Sequence, residues 1–183
     1  MTPTTIFITH LLGFLTVLTQ ITVIAGLLLF WFAKKQPIVQ RLTNFFGQHA
    51  LIFSWIVCAS AVFSSLYYSD IAHLVPCSLC WWQRIFIFPQ LVLLTLALWK
   101  NDERISDYLF GLSGIGALIA LYHYYGQMFS SAILPCGVSG GTPSCANKTI
   151  LEFGYVTIPM MSLTYFLIIF FFMILLTSYK KNK

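Results

Sequence analysis

Apolar residues fall into five long runs along the chain, and polar and charged residues collect in the short segments between them. Each run is close to the ~20 residues that a helix needs to cross the hydrocarbon core of a bilayer, and each is too long for a strand. The pattern therefore predicts an all-α membrane protein with five spans. They run from Ile6 to Phe32, His49 to Tyr68, Trp81 to Trp99, Tyr108 to Phe129 and Ile158 to Tyr179.

The overall composition agrees with a membrane location. Of the 183 residues, 58% are hydrophobic and 8% are charged, and the mean hydropathy of +0.84 is far from that of a soluble domain. A net charge of +5 is compatible with nucleic acid binding, but the Lys and Arg residues form small clusters at the ends of the apolar runs. Such clusters are typical of topology signals, so no nucleic acid partner is predicted.

The positions of Lys and Arg also predict the orientation, because cytoplasmic loops are enriched in these residues. An amino terminus on the outside places eight of the ten Lys and Arg residues, and the carboxyl terminus, in the cytoplasm. Two segments then face the exterior, at about 69–80 and 130–157. The eight cytoplasmic residues are Lys34, Lys35, Arg41, Lys100, Arg104, Lys180, Lys181 and Lys183.

The first apolar run differs from a secretory signal, since Met1 to Ala33 contains no Lys or Arg to form a positive amino-terminal region. We therefore expect residues 1–33 to be retained as a membrane span and residues 34–48 to form a cytoplasmic loop. Three roles stay open for this span, namely sealing the bundle, binding a partner, or serving as an anchor.

Four of the five cysteines lie in the two exterior segments, and Cys77 and Cys80 form a Cys-x-x-Cys motif where the third run begins. A thiol at a helix amino terminus meets unpaired backbone N–H groups and the positive end of the helix dipole, which favour the reactive thiolate. Arg84 follows on the same helix face, about one turn deeper than Cys80. The spacing predicts a redox site beside an intramembrane cation.

An arginine inside a membrane span costs ~2.5 to 3.5 kcal/mol at the helix centre unless a partner offsets that cost. The common role for an isolated arginine is that of an interface anchor bonded to lipid phosphate. Because two thiols share the helix face of Arg84, we expect this guanidinium instead to stabilise the anionic oxygen of a reduced quinone.

The second exterior pair, Cys136 and Cys145, lies among Gly and Pro residues that predict turns. Such a pair is interpreted either as a structural disulfide or as an exchangeable one. A zinc site built from all four exterior cysteines is a poor match to known zinc spacings, so no metal is predicted.

Two further residues lie inside predicted spans. Cys58 has no obvious partner along the sequence, so we expect it to pack in the core as a small apolar residue. His123 lies in the fourth run, where a histidine is rare enough to be a candidate functional residue. A structural role fits His123 nearly as well.

The segment Pro-Cys-Ser-Leu-Cys-Trp-Trp-Gln-Arg, residues 76–84, resembles the signature of the DsbB/BdbC family of disulfide-forming oxidases. The likeness includes the Cys-x-x-Cys motif, the aromatic residues after it, and the arginine four positions beyond the second cysteine. A second cysteine pair follows in the next exterior loop, and Phe153, Gly154 and Pro159 lie ahead of the last run, as in the family pattern.

The resemblance implies a membrane thiol oxidase that generates disulfides de novo in the bacterial inner membrane. The loop pair, Cys136 and Cys145, would oxidise a thioredoxin-fold partner similar to DsbA. Cys77 and Cys80 would then reoxidise the loop pair and pass two electrons to a quinone of the membrane pool, either ubiquinone or menaquinone. In this relay all four exterior cysteines are catalytic.

The resemblance also assigns quinone binding to Arg84 and His123, the first as the group that polarises the quinone. It covers about His49 to Tyr179, so residues 49–183 are identified as a DsbB-like four-helix membrane domain. Residues 1–33 then form an extra amino-terminal span, which the family pattern lacks.

Two other classes of protein compete with this resemblance. A vitamin-K-epoxide-reductase-like enzyme also couples a membrane quinone to cysteine pairs, but there the loop cysteines precede the Cys-x-x-Cys motif, whereas Cys77 and Cys80 come first here. A non-catalytic membrane subunit with structural disulfides explains the composition equally well, but it gives no reason for Arg84 or for the motif at a helix start. The direction of electron flow stays open, since it depends on reduction potentials.

Overall fold

The computed structural model describes residues 3–32, 36–129 and 144–182, and these residues form six α-helices. A π-helical turn, Tyr67–Ile71, extends α3, and a 3-10 turn, Glu103–Ile105, precedes α5. In the described part of the chain, extended structure is limited to one bridge between Glu152 and Val156, so the predicted all-α class is confirmed. The helices are α1 (Pro3–Phe32), α2 (Pro37–Gln48), α3 (Ala50–Leu66), α4 (Ser78–Lys100), α5 (Ser106–Met128) and α6 (Ile158–Asn182).

Four of these helices are long and apolar enough to cross a membrane, which makes the chain a multi-pass membrane protein. They correspond to four of the five predicted spans. The helix α5 is equally regular but less apolar, because it carries polar side chains such as Ser113, His123 and Gln127 that are buried inside the bundle. The four candidate spans are Pro3–Leu29, Ala50–Ile71, Ser78–Lys100 and Ile158–Lys181.

The segment predicted to be a loop at 34–48 contains the helix α2, which begins with Pro37 in its first turn. Proline is favoured there because its missing N–H has no partner within the helix in any case. One face of α2 packs on α6, where a Cβ added to Gly47 would lie 2.7 Å from the Cβ of Tyr179. Glycine at position 47 therefore allows α2 to lie directly against the end of α6.

The helix α6 forms the centre of the bundle and packs against α1, α2, α3 and α5. Its contact with α5 is very close at Gly116, where an added Cβ would overlap the ring of Phe166. Among the glycines of α5, Gly116 therefore allows the closest approach of α5 to α6. The fully buried side chains of α6 include Phe166, Ile169, Met173 and Leu176.

Candidate redox site

The Cys-x-x-Cys motif lies at the start of α4, as the sequence predicts. Cys77 is the N-cap residue, with extended backbone (φ −73°, ψ 171°), and Cys80 lies in the first turn. Both are free thiols, and their Sγ atoms are 2.9 Å apart. Because a disulfide bond measures about 2.05 Å, these sulfurs form one with a movement of less than about 1 Å.

His123 of α5 lies beside Cys77 and is buried. Its Nε2 atom is 3.8 Å from Cys77 Sγ and 3.2 Å from the backbone carbonyl oxygen of Cys145. The amide of Gln83 donates to the other ring nitrogen, Nδ1, over 3.0 Å. Because Nδ1 accepts this bond, the proton of a neutral ring is on Nε2, which faces the Cys77 sulfur.

Cys145 brings the loop pair to the same place. It is buried, it is disulfide-bonded, and its Sγ, Cys77 Sγ and a ring nitrogen of His123 all lie within 4.8 Å of one another. Its predicted partner, Cys136, lies outside the described residues. The structure therefore places a free thiol of the first pair directly against a disulfide sulfur that is distant in sequence.

These three side chains also have the spacing of metal ligands. A disulfide sulfur is not the thiolate that binds zinc, however, so in this state Cys145 is not available as a ligand. Cys77 and His123 are then the remaining ligands of the group, which is fewer than a structural zinc site requires.

The pKa of the Cys77 thiol lies well below its ordinary value. The main cause is the hydrogen bond from the Cys80 thiol, and His123 adds to the shift, while burial of Cys77 opposes it. Both neighbours stabilise the negative sulfur more than its burial destabilises it. Cys77 is therefore the thiolate of the pair at neutral pH, and a low thiol pKa also makes a sulfur a good leaving group in exchange.

Arg84 is held by α3. Its Nε donates to Ser65 Oγ over 2.9 Å and its Nη2 donates to the Ser65 carbonyl oxygen over 2.8 Å. The guanidinium also lies over the ring of Trp81, 5.2 Å from the ring centre. These contacts offset the cost of a cation in the membrane and fix where its charge lies.

The predicted residues meet at one cavity of about 370 Å³, which lies between α3, α4, α5, α6 and α1. Its wall includes Cys77 and Cys80 from the motif, Arg84, His123 and Cys145. Every predicted site residue that the structure describes therefore borders a single space, as one shared redox site requires.

Cys58 does not line this cavity. It is fully buried in the core, with its sulfur 3.1 Å from the Tyr165 hydroxyl, which fits its predicted packing role.

Sequence reasoning missed three polar residues of the site. Gln83 orients His123, Ser65 holds Arg84, and Gln127 donates from its Nε2 to the Asn147 carbonyl oxygen over 2.8 Å, which fixes the backbone near Cys145. Gln83 and Gln127 carried a usable signal, because uncharged amides are costly inside apolar helices. Ser65 carried none, since a single serine in a membrane helix is common.

Comparison with known proteins decides the family. Residues 47–176 match the family described as disulfide bond formation protein DsbB. The chain belongs to the DsbB family. This membership gives the chain a role in disulfide bond formation as a disulfide oxidoreductase, and it confirms the predicted resemblance over the vitamin-K-epoxide-reductase-like alternative. The matched region excludes α1.

Several curated relatives support the same family. Disulfide bond formation protein C of Bacillus subtilis (strain 168) is 39% identical over 131 residues, which cover 70% of this chain and 93% of the relative. A probable disulfide formation protein of Chlamydia caviae is 35% identical over 139 residues, which cover 75% of this chain and 98% of the relative. No solved structure matches the chain.

Proposed function

We propose that this DsbB-family chain oxidises the dithiol of a thioredoxin-fold partner outside the cytoplasm and passes the two electrons through its two cysteine pairs to a membrane quinone. The observation that carries the proposal is the position of Cys77 Sγ, which is 2.9 Å from Cys80 Sγ and within 4.8 Å of the disulfide sulfur of Cys145. One sulfur is thus in reach of both pairs.

The first exchange takes place at the loop disulfide. Cys145 is only 1% exposed, so the partner thiolate attacks the other sulfur, which the sequence predicts to be that of Cys136. This attack forms a mixed disulfide with the partner and releases the Cys145 thiolate. The second thiol of the partner then breaks the mixed disulfide, so the partner leaves oxidised and the loop pair stays reduced by two electrons.

The second exchange starts with Cys77 and Cys80 joined in a disulfide. The Cys145 thiolate attacks Cys77, which forms a Cys77–Cys145 bond and releases the Cys80 thiolate. Attack of the second loop thiolate on Cys145 restores the loop disulfide and releases Cys77. The low pKa of Cys77 favours this release. The described state, with a disulfide at Cys145 and free thiols at Cys77 and Cys80, corresponds to the end of this exchange.

The cavity supports a quinone as the electron acceptor. Its volume of about 370 Å³ lies within the roughly 300–1,000 Å³ of small-molecule sites, and apolar side chains make up most of its wall. Cys80 and Arg84 border it, and the buried Gln127 Oε1, also at its wall, has no hydrogen-bond partner among the described residues. These groups fit a flat apolar ring with polar edges.

When bound, the quinone takes up two electrons and two protons as the Cys77–Cys80 pair is oxidised to the disulfide. Arg84 uses two of its hydrogen bonds on Ser65 and has further N–H donors to hold a quinone oxygen. His123 holds its Nε2 proton toward Cys77 and stabilises the thiolate there.

The proposal includes five spans and an orientation. The helices α4 and α5 have 23 residues each, and the start of α4 meets the end of α5 at Cys77 and His123. They run antiparallel over their full length, so α5 crosses the membrane if α4 does.

The orientation follows from the other end of the bundle, where α4 ends and α5 begins. Lys180 donates to Ser106 there, and Lys100 and Arg104 lie at the same end, so we place that end in the cytoplasm of a bacterial inner membrane.

The test is turnover of purified protein in detergent with a reduced thioredoxin-fold donor and a water-soluble quinone. Wild type should reduce the quinone continuously, and Cys80→Ser should abolish this reduction. Cys58→Ala is the matched control, because Cys58 is a free cysteine buried in the core that does not line the cavity, and it should retain turnover. Equal rates in wild type and Cys80→Ser, or no rate in wild type, would contradict the proposal.

A further inference from the structure

The helix α1 packs on the bundle through a stripe of small and polar residues. Thr5, Thr9 and Gly13 are buried, although α1 as a whole is very apolar. Larger apolar side chains, including Phe14 and Leu18, are exposed on the other side, where a membrane protein meets lipid. Small and polar residues are typical of helix interfaces inside membranes, so α1 is built to dock on this bundle and is more than an anchor.

Hydrogen bonds join α1 to both neighbouring edges of the bundle. On the side of α3, the Tyr68 hydroxyl donates to Thr9 Oγ1 over 3.3 Å. On the side of α6, the amide of Gln20 donates to Thr164 Oγ1 over 2.8 Å and accepts from the Tyr155 hydroxyl over 2.8 Å. Tyr68 and Thr164 both line the cavity of the candidate redox site. The helix α1 therefore spans this cavity from its α3 side to its α6 side.

Between these bridges, α1 forms part of the cavity wall. Four of its residues line the same space as Cys80 and Arg84, and none of the four lies in the matched region 47–176. The Thr16 hydroxyl donates to the Leu12 carbonyl oxygen over 2.7 Å, so it is satisfied within the helix. Leu12, Leu15 and the methyl group of Thr16 therefore form an apolar part of the wall, next to Thr19.

We propose that α1 is the lipid-side wall of the quinone site and contacts the isoprenoid chain of the quinone. This inference rests on the proposed function. The polar groups that suit a quinone ring, Cys80 and Arg84, come from α4, whereas α1 offers methyl and methylene groups that suit a hydrocarbon chain. Residues such as Thr16 then determine which quinone chains the cavity accepts.

The test compares quinone kinetics of Thr16→Trp with wild type, using a decyl-substituted quinone and the same quinone without a chain. The indole ring at position 16 occupies cavity volume that the quinone chain needs. We therefore expect KM for the decyl quinone to rise by about tenfold or more at unchanged kcat. KM for the chainless quinone should change by less than about threefold. Leu18→Trp is the matched control, because Leu18 is on the exposed face, and its KM values should stay within about twofold of wild type.

Correct folding is checked separately by one turnover without quinone, in which the loop disulfide oxidises a reduced donor. Both tryptophan variants should carry out this turnover at the rate of wild type. If Thr16→Trp fails this check, Thr16→Leu replaces it and should give a smaller rise in KM for the decyl quinone. Unchanged KM in Thr16→Trp and Thr16→Leu, or an equal rise for both quinones, would overturn the inference. Absence of quinone reduction in wild type would instead overturn the proposed function.

Discussion

The Sγ atoms of Cys77 and Cys145 lie within 4.8 Å of each other, although Cys77 precedes α4 and Cys145 lies between α5 and α6. His123 contributes to this proximity, because its Nε2 faces Cys77 Sγ and the carbonyl oxygen of Cys145 at the same time. Since exchange requires direct attack of one sulfur on another, this proximity is what the proposed relay between the two cysteine pairs depends on.

The pKa of Cys77 provides the first prediction. Since its folded value is below that of an ordinary thiol, Cys77 stays a thiolate until the pH falls through that lowered value. Removing either stabilising neighbour should raise the pKa of Cys77 by roughly one unit or more. Cys80→Ala should raise it more than His123→Ala does. The measurement is the alkylation rate of Cys77 against pH, followed by peptide mapping. A midpoint that does not move in either variant would contradict the assigned causes.

The bond between Arg84 and Ser65 provides the second prediction. Arg84→Ala should raise KM for quinone by about tenfold or more, because it removes the proposed charge-assisted hydrogen bond to a quinone oxygen. Ser65→Ala removes only the hydroxyl acceptor, so it should raise KM by about two- to tenfold. The loop disulfide should still form in both variants, as measured by thiol trapping. Quinone kinetics like those of wild type in Arg84→Ala would remove this residue from the site.

The close contact of α5 with α6 provides the third prediction. Gly116→Ala places a methyl group against the Phe166 ring, so it should destabilise the protein by about 1–3 kcal/mol. Gly111→Ala is the matched control, because an added Cβ there meets nothing within 4 Å, and its Tm should be unchanged or slightly higher. Thermal unfolding in detergent measures both. A Tm for Gly116→Ala at or above that of wild type would contradict the close packing of Gly116 on the Phe166 ring.

Much of the fold was predictable from sequence, because the length and apolarity of a membrane span are local properties. The apolar runs predicted α1, α3, α4, α5 and α6 as helices, and the motif position predicted Cys77 at a helix start. The helix α2 was missed, since it is short and only one of its faces is apolar enough to pack on α6.

The site was predictable as a set of residues and not as an arrangement. Cys77, Arg84 and Cys145 were all singled out, yet no sequence rule reveals that Ser65 holds the arginine or that the two sulfurs meet. These contacts depend on how α3, α4 and α5 pack together. The place of α1 at the cavity wall was hidden for the same reason, because its lining residues are ordinary components of an apolar span.

The most direct test of the relay uses the double variant Cys80→Ser with Cys136→Ser, in which Cys77 and Cys145 remain together with the core residue Cys58. Mild oxidation followed by peptide mapping without reductant should recover the Cys77 and Cys145 peptides joined by a disulfide in high yield. The control, Cys77→Ser with Cys136→Ser, leaves Cys80 and Cys145 and should give a much lower yield. Free thiols at Cys77 and Cys145 after oxidation, or equal yields in the two variants, would contradict the account.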